Sequence, residues 1–467
     1  MKRIVGATTN STAQTPNVNY QPMSSGAPSV GSMRRRTLLA AITAGLSGCQ
    51  VIRETTPTTT TDDEPTETLA IDLPADGALD GWDTFRGSVT NQGRAAGVTG
   101  PGPAVEPAWD TAVRSGGDDR YLSAAGGVVF IAGERGVEAI DAADGTQHAA
   151  QVTPGHEITT EAVLVDGRLY AGTSKSRLLS IDPTTGNTVW EARTSTLLHH
   201  DEEVPVPVKS TPAVSGGQIY IVDKDSDGLD SVVRCYGIES GDECWRKWPE
   251  VGSLGMEPPR VVDDRVLFDE ASELVALDLE DRTVEWRVPF PETDQTYAND
   301  RLLAPAVADG VAAVATSSGL VGVDIDSGER RWTISTRDYG EDLTYLEATY
   351  TPAIHDGTVF AGFSEGRFGA YDLASGEELW SVTPDQFAVY WTAPALGDKC
   401  VFVGAQGPLS PLPTPKDRDP DDARLYAFDR ETGEQYGPWS LPGHLRHPVV
   451  TDDSVVIASG DSLYAFE

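Results

Sequence analysis

Lysine is nearly absent from this chain of 467 residues, which contains only seven lysines and four cysteines. Acidic residues number 72 against 35 basic ones, so the formal net charge is −37 at pH 7. The chain lacks the basic stripe that nucleic-acid binding requires, which argues against such partners. A surface this acidic repels itself unless salt screens it, and the Debye length falls to about 3 Å at molar salt. The composition therefore predicts a protein from an extreme halophile.

Extended helical periodicity is also absent beyond the N-terminus, and a repeat of short strands takes its place. Apolar runs and Gly/Asp turns recur roughly every 40–55 residues, which is typical of a β-propeller with one four-stranded blade per repeat. The clearest copy runs from Thr351 to Trp380. In four copies a turn glycine is followed four positions later by tryptophan: Gly186 and Trp190, Gly241 and Trp245, Gly328 and Trp332, Gly376 and Trp380. Three copies vary the pattern: Arg282 with Trp286, Gly145 with Ala149, and Gly433 with Trp439.

The last copy is incomplete. It starts at His447 and stops at Glu467, one strand short, and residues 105–113 resemble the missing tryptophan strand. An open ring would leave a blade edge in water. The sequence therefore predicts an all-β fold: an eight-bladed β-propeller of four-stranded antiparallel blades, closed by an N-terminal strand that completes the last blade. We expect the recurrent tryptophans to pack between blades and not to form a cofactor cage.

The N-terminal region has the organisation of an export signal at residues 33–49. Arg35 and Arg36, followed by a short apolar stretch, resemble a twin-arginine signal, and Leu46-Ser-Gly-Cys49 resembles a lipobox, which predicts lipidation of Cys49. An ordinary signal peptide with a chance cysteine is the alternative. Residues 1–32 then form a non-native or disordered extension, residues 50–80 a disordered spacer rich in Thr, Pro, Asp and Glu, and residues 81–467 the propeller. We expect a monomer of haloarchaeal origin, anchored by lipid to the extracytoplasmic face of the cell membrane.

Two cysteines flank one predicted hairpin turn. If Gly237 pairs with Asp242, then Cys235 and Cys244 face each other on adjacent strands, and an extracytoplasmic location permits a disulfide between them. Two buried thiols are the alternative. Cys400 lies inside an apolar strand and is expected to be a free thiol.

The two faces of the predicted ring differ. With the strands of each blade named A to D, the A–B and C–D turns lie on one face and are short. The B–C turns and D-to-A crossings lie on the other, here called the B–C/D–A face, which carries the unusual segments. We expect this face to bind a protein partner through the aromatic residues of its crossings, although some of them must pack in the rim. These candidates are Tyr297, Tyr339, Tyr345, Tyr350, Phe387, Tyr390 and Trp391.

One B–C segment carries carboxylates at alternate positions. Asp223, Asp225, Asp227 and Asp230 resemble the start of an EF-hand loop, which makes calcium a candidate ligand. The twelfth position is Arg234 in place of the bidentate glutamate, so a complete EF-hand is excluded. A solvated acidic turn is the alternative. The adjacent pair His199 and His200 is a weaker candidate for a transition metal, because neighbouring residues on an extended chain point to opposite sides.

The pattern Ala-x-Asp-x-x-(Ser/Thr)-Gly-x-x-x-Trp at Ala370–Trp380 resembles the PQQ-like β-propeller repeat family, and the resemblance covers about residues 80–467. Within that family the chain resembles the BamB-like lipoproteins, which implies a non-catalytic, protein-binding scaffold without a cofactor. A PQQ-dependent quinoprotein oxidoreductase and a small-ligand or sugar-binding propeller are the alternatives. Many quinoproteins carry two adjacent cysteines beside the quinone, and no such pair exists here. No catalytic triad, zinc motif or phosphate loop stands out.

Overall fold

The structure is a computed structural model, and its described residues belong to one compact unit, Pro65–Glu467. It describes residues 81–82, 93, 97–114, 121–148, 157–194, 196–199, 202–224, 231–248, 257–270, 272–290, 302–316, 319–335, 350–363, 366–384, 390–406 and 422–467. Every regular element among these residues is a β-strand. Within these ranges there is no helix of the length and apolarity that a membrane crossing requires.

The strands follow one another in short hairpins. The first half of the chain contains β1 (Gly81–Trp82), β2 (Pro107–Ala112), β3 (Tyr121–Ala125), β4 (Val128–Gly133), β5 (Gly136–Asp141), β6 (Val163–Val165), β7 (Arg168–Gly172), β8 (Arg177–Ile181), β9 (Thr188–Arg193), β10 (Thr196–His199), β11 (Glu202–Pro205), β12 (Ala213–Ser215), β13 (Gln218–Lys224), β14 (Ser231–Gly237) and β15 (Glu243–Lys247). The second half contains β16 (Arg260–Val262), β17 (Arg265–Glu270), β18 (Glu273–Asp278), β19 (Val284–Pro289), β20 (Ala306–Ala308), β21 (Val311–Thr316), β22 (Gly319–Asp324), β23 (Arg330–Ser335), β24 (Ala353–His355), β25 (Thr358–Gly362), β26 (Phe368–Asp372), β27 (Glu378–Val382), β28 (Tyr390–Trp391), β29 (Ala395–Leu396), β30 (Cys400–Gln406), β31 (Asp422–Asp429), β32 (Gln435–Pro442), β33 (Val449–Val450), β34 (Val455–Ser459) and β35 (Ser462–Phe466).

Apart from β10 and β11, these strands form eight antiparallel sheets, so the predicted eight-bladed propeller is confirmed. Blade one consists of β1 and β3–β5, and the next five blades are β6–β9, β12–β15, β16–β19, β20–β23 and β24–β27. Blade seven consists of β28–β32, and blade eight of β33–β35 with β2. Strands β10 and β11 form a separate hairpin in the crossing from blade two to blade three.

The N-terminal strand closes the ring as predicted. Strand β2 pairs with β35 in blade eight, and the backbone amides of Glu106 and Glu467 donate to each other's carbonyls at 2.8 and 3.0 Å. Blade one departs from the repeat. Its fourth strand is β1, which pairs with the inner strand β3, and its described outer edge has only an isolated bridge between Ile140 and Gln147.

The middle strands are buried on both faces because each blade packs against two neighbours. All six residues of β4 and of β21 are buried, as expected for a continuous apolar run in a packed sheet. The hydrophobic clusters accordingly lie between blades: one joins blades five and six, and another joins blades three and four.

Tryptophans of the D strands join neighbouring blades, which confirms their predicted packing role. In each case the indole N–H donates to a carbonyl in the C–D turn of the next blade, at 2.7–3.0 Å. We call these contacts tryptophan clasps, and they join Trp109 to Ala142, Trp190 to Ile238, Trp286 to Ile325, Trp332 to Leu373, and Trp380 to Arg430.

Candidate functional site

The face with the short turns is built for rigidity. In the C–D turn of blade six the Asp372 carboxylate accepts hydrogen bonds from the backbone N–H and hydroxyl of Ser375 at 2.8 and 2.7 Å. In blade five hydrogen bonds from Arg331, and after them those from the backbone N–H and hydroxyl of Ser327, lower the pKa of Asp324 to about 2. Such a turn satisfies its own polar groups and offers few of them to a ligand.

The opposite, B–C/D–A face surrounds the start of each inner strand. Equivalent residues can be matched because each inner strand pairs with its neighbour in the same register, for example Ala353 with Phe360 and Val163 with Tyr170. Two positions before each such residue stands one member of a set that we call the mouth ring. The mouth ring consists of Tyr121, Glu161, Thr211, Pro258, Ala304, Thr351, Ala393 and His447.

Two members of the mouth ring contact each other across a whole blade. His447 Nε2 of blade eight lies 2.7 Å from Glu161 Oε1 of blade two, although blade one lies between those blades. Glu161 is 1% exposed, and no described residue donates a hydrogen bond to its second oxygen, Oε2. Blade one has Ala149 where other blades have tryptophan, so no tryptophan clasp can join it to blade two. The Glu161–His447 contact links blade two to blade eight past this joint between blades one and two.

Among the described residues, two aromatic side chains on the B–C/D–A face are exposed. Tyr350, which enters blade six, is 48% exposed and stays a predicted partner contact. Trp248 follows the D strand of blade three and is 45% exposed, with the Arg246 guanidinium 5.7 Å from its ring centre. Sequence reasoning missed Trp248, although its place just after a D strand identifies the face on which it lies.

The expectation for Trp391 was wrong. This residue is 1% exposed and packs against Phe368, Tyr426 and Phe428, with ring centres 5.4, 5.6 and 6.3 Å away. It occupies the core between blades six and seven because β28 pairs with β30 and directs the indole against Gly362, where no Cβ stands in its way. Tyr390 lies in the same strand. The other candidates, Tyr297, Tyr339, Tyr345 and Phe387, lie outside the described residues.

One residue of the acidic segment is described. Asp223 is fully buried, and its Oδ2 lies 3.5 Å from the Nε of Arg234, whose Nη1 donates to Glu243 at 2.6 Å. A cation at Asp223 would therefore compete with Arg234. Asp225, Asp227 and Asp230 lie outside the described residues, so the calcium site stays a prediction. The described ranges contain no group of three or more metal-ligating side chains.

A cavity of about 930 Å³ lies on the short-turn face, at the seam between blades eight and one. Val98, Val128 and Val450 contribute apolar walls, and Asp452 and Glu467 are among its acidic residues. This lining favours a cationic ligand over an anionic one. The cavity is on the face opposite the exposed aromatics.

Comparison with known proteins places the chain in a family. A family model described as outer membrane protein assembly factor BamB matches residues 104–227 and 228–440. The chain belongs to this family of PQQ-like propellers. Outer membrane protein assembly factor BamB of Yersinia pestis is 25% identical over 218 residues, which are 45% of this chain and 53% of that protein. The Burkholderia pseudomallei (strain K96243) protein of the same name is 26% identical over 295 residues, 59% of this chain and 68% of its own length.

The chain therefore spans about half the length of the Yersinia relative and two thirds of the Burkholderia one. Among solved structures, BamB from Moraxella catarrhalis aligns with a TM-score of 0.60 and 17% identity, covering 78% of this chain and all of that chain. Quinohemoprotein alcohol dehydrogenase from Comamonas testosteroni aligns with a TM-score of 0.57 and 14% identity, covering 83% and 80%. At these identities the two structures establish the shared fold alone.

Proposed function

We propose that this propeller is a non-catalytic, protein-binding scaffold, held by a lipid on Cys49 at the extracytoplasmic face of the cell membrane. Membership of a family described as an assembly factor supports the scaffold role. The observation that carries the choice of surface is the exposure of Trp248 and Tyr350 on the B–C/D–A face. Interfaces draw much of their binding energy from a few such aromatic anchors.

Aromatic anchors suit the acidity of this protein. At high ionic strength exposed ion pairs are screened and contribute about 0–1 kcal/mol, so charged contacts hold a partner poorly. Burial of apolar area is not weakened by screening and contributes about 25 cal/mol per Å². A partner with apolar pockets therefore fits this face better than a basic one.

The binding test compares two exposed aromatic residues of the B–C/D–A face with an exposed aliphatic residue on the outer strand of a blade. Purified Trp248→Ala and Tyr350→Ala variants are used as bait for detergent-solubilised host membranes in high salt, and bound proteins are quantified by mass spectrometry. Both variants should lose a common set of proteins that wild type retains. Leu379→Ala, at a residue that is 54% exposed on the D strand of blade six, is the control and should retain that set. Equal losses from all three variants would contradict the assigned face.

The anchoring test uses the signal residues. Cys49→Ser should release the protein from membranes or block its maturation while the propeller stays folded. Arg35→Lys combined with Arg36→Lys should stop export if the twin-arginine route is used. Unchanged membrane association of Cys49→Ser would argue against the lipid anchor.

The enzymatic alternative depends on fold likeness alone and makes a different prediction. On the scaffold proposal, adding PQQ and calcium to the purified protein should leave the quinone absorbance spectrum as it is in buffer. A shifted, protein-bound spectrum would instead favour the oxidoreductase.

A further inference from the structure

The two cysteines of blade three occupy a β-bulge. Cys235 of β14 pairs with Trp245 of β15, and Tyr236 pairs with Glu243, so Cys244 is the extra residue between the two pairs. In such a bulge two residues of one strand oppose a single residue of the other. Cys244 and Trp245 therefore both stand opposite Cys235.

The same bulge recurs in other blades without cysteines. The residue opposite the tryptophan is small in each, and the extra residue precedes the tryptophan: Ser180 and Val189, Ala276 and Glu285, Gly322 and Arg331, Ala370 and Leu379. Space at the first position is tight, because a Cβ added to Gly322 would lie 2.2 Å from the Trp332 ring. Blade three places a thiol at both positions of this repeated pair.

The side chains themselves support proximity. Both thiols are free in this structure. Cys235 is fully buried, whereas Cys244 is exposed, and the Cys244 Sγ would lie 4.0 Å from a Cβ built on Gly237, two residues after Cys235 in β14. Burial, and after it the neighbouring Cys244 thiol, raises the pKa of Cys235 to about 12. The backbone bond from the N–H of Gly237 to Asp242, 2.9 Å long, closes the turn that joins the two strands.

The joint next to these cysteines has an arginine in place of the turn glycine. Blade four has Arg282 with a φ of 63° where most blades have the turn glycine, and its guanidinium lies 5.8 Å from the Trp245 ring centre. The indole N–H of Trp245 donates to no described carbonyl of blade four, so Trp245 forms no tryptophan clasp there. Among the described residues, blade three therefore lacks the indole hydrogen bond that Trp190, Trp286, Trp332 and Trp380 make beside the four bulges named above.

We propose that Cys235 and Cys244 form a disulfide that fixes the bulge of blade three. The exposed Cys244 thiolate attacks an external low-molecular-weight disulfide, forms a mixed disulfide and releases one thiolate. Cys235 then attacks the Cys244 sulfur, joins the two protein sulfurs and releases the second thiolate. The two protein thiols lose two protons and two electrons, and the external disulfide takes up both electrons.

The test uses the purified full chain in an oxidising glutathione buffer, followed by denaturation, alkylation and peptide mass spectrometry. Of the three propeller cysteines, Cys400 alone should be alkylated before reduction, and a linked peptide pair should join Cys235 to Cys244. In Cys244→Ser, Cys235 should become available to alkylation. Two free thiols in wild type, or a stable glutathione adduct on Cys244, would overturn the proposal.

A transplanted pair separates bulge geometry from the local environment. Ala370→Cys with Leu379→Cys, in a chain that also carries Cys235→Ala and Cys244→Ser, creates the same arrangement in blade six. That pair should also become oxidised. Reduction of the wild-type disulfide should lower the melting temperature by about 3 °C, whereas Cys235→Ala, which reproduces the alanine of blades four and six, should show no response to reductant. Oxidation of the transplanted pair without oxidation of the native one would count against the proposal.

Discussion

The indole of Trp190 lies against Gly241 of the next blade so closely that a Cβ built on that glycine would stand 2.5 Å from its Cε3 atom. The same indole donates to the Ile238 carbonyl at 3.0 Å. Gly241 has a φ of 70°, so the glycine serves both the turn and the ring packed over it. This double demand explains why glycine and tryptophan recur together along the sequence.

Gly241→Ala should destabilise the propeller more than Gly217→Ala does. Gly217 has a similar φ of 74°, but a Cβ there meets nothing within 4 Å. Its substitution should cost about 1–2 kcal/mol for the left-handed backbone. At Gly241 the displaced indole should add about 1–3 kcal/mol. Denaturant unfolding of both variants measures the difference. Equal losses of unfolding free energy would show that the Trp190 indole can move away from residue 241 without destabilising the fold.

Arg234→Met should destabilise the fold by about 3–5 kcal/mol, because it leaves the Asp223 carboxylate buried without its cation. Adding Asp223→Asn should recover part of that loss. The control is Arg177→Met, which removes a pair with Glu191 whose side chains are 27% and 45% exposed, and should cost under about 1 kcal/mol. Unfolding in denaturant at fixed salt measures all three. Failure of Asp223→Asn to rescue would mean that Arg234 acts mainly through Glu243.

The Asp324 turn should contribute to the free energy of unfolding at neutral pH and lose that contribution in acid. Arg331 and Ser327 hold the pKa of Asp324 at about 2 in the folded protein, below the ordinary 3.8. Between these values the unfolded chain binds the extra proton, so this contribution is complete above about pH 4 and disappears as the pH falls towards 2. Asp324→Asn should flatten the stability curve in that window only. Glu329→Gln, an exposed residue of the same turn, is the control, and denaturant unfolding from pH 2 to 6 checks both.

Period and turn chemistry sufficed to predict the ring, its blade count and the strand that closes it. They suffice because blades one to seven each keep at least two of an aspartate, a glycine and a tryptophan at the same spacing. Strand β1 (Gly81–Trp82) could not be predicted, because a strand of two residues is too short to show the alternation of apolar and polar residues that marks a strand.

The site was predicted less well, and the reasons are local. Trp391 reads as a loop aromatic because it follows an irregular crossing, yet a two-residue strand places it in the core. The Glu161–His447 contact joins residues 286 positions apart. Only an alignment of the residues that precede the inner strands would have shown that both belong to the mouth ring.

Stability should fall as salt is lowered from molar to tens of millimolar. With a formal charge of −37, repulsion regains its range when the Debye length grows from about 3 Å to tens of ångströms. Melting temperatures in a KCl series measure this effect. Glu377→Lys with Glu431→Lys, two exposed residues, should reduce the salt dependence. A melting temperature that does not change with salt would refute the halophilic interpretation.

Trp391→Ala should lower the stability of the fold, whereas Trp248→Ala should weaken partner capture, although both remove an indole near the B–C/D–A face. Trp391 is buried among three aromatic rings, so its truncation should cost about 3–5 kcal/mol of unfolding free energy through the cavity it leaves. Trp248 is nearly half exposed, and its truncation should cost under about 0.5 kcal/mol, the range of ordinary surface changes. Partner capture should instead decrease for Trp248→Ala at a temperature where both variants are folded. Partner capture that is undiminished in Trp248→Ala would remove Trp248 from the interface.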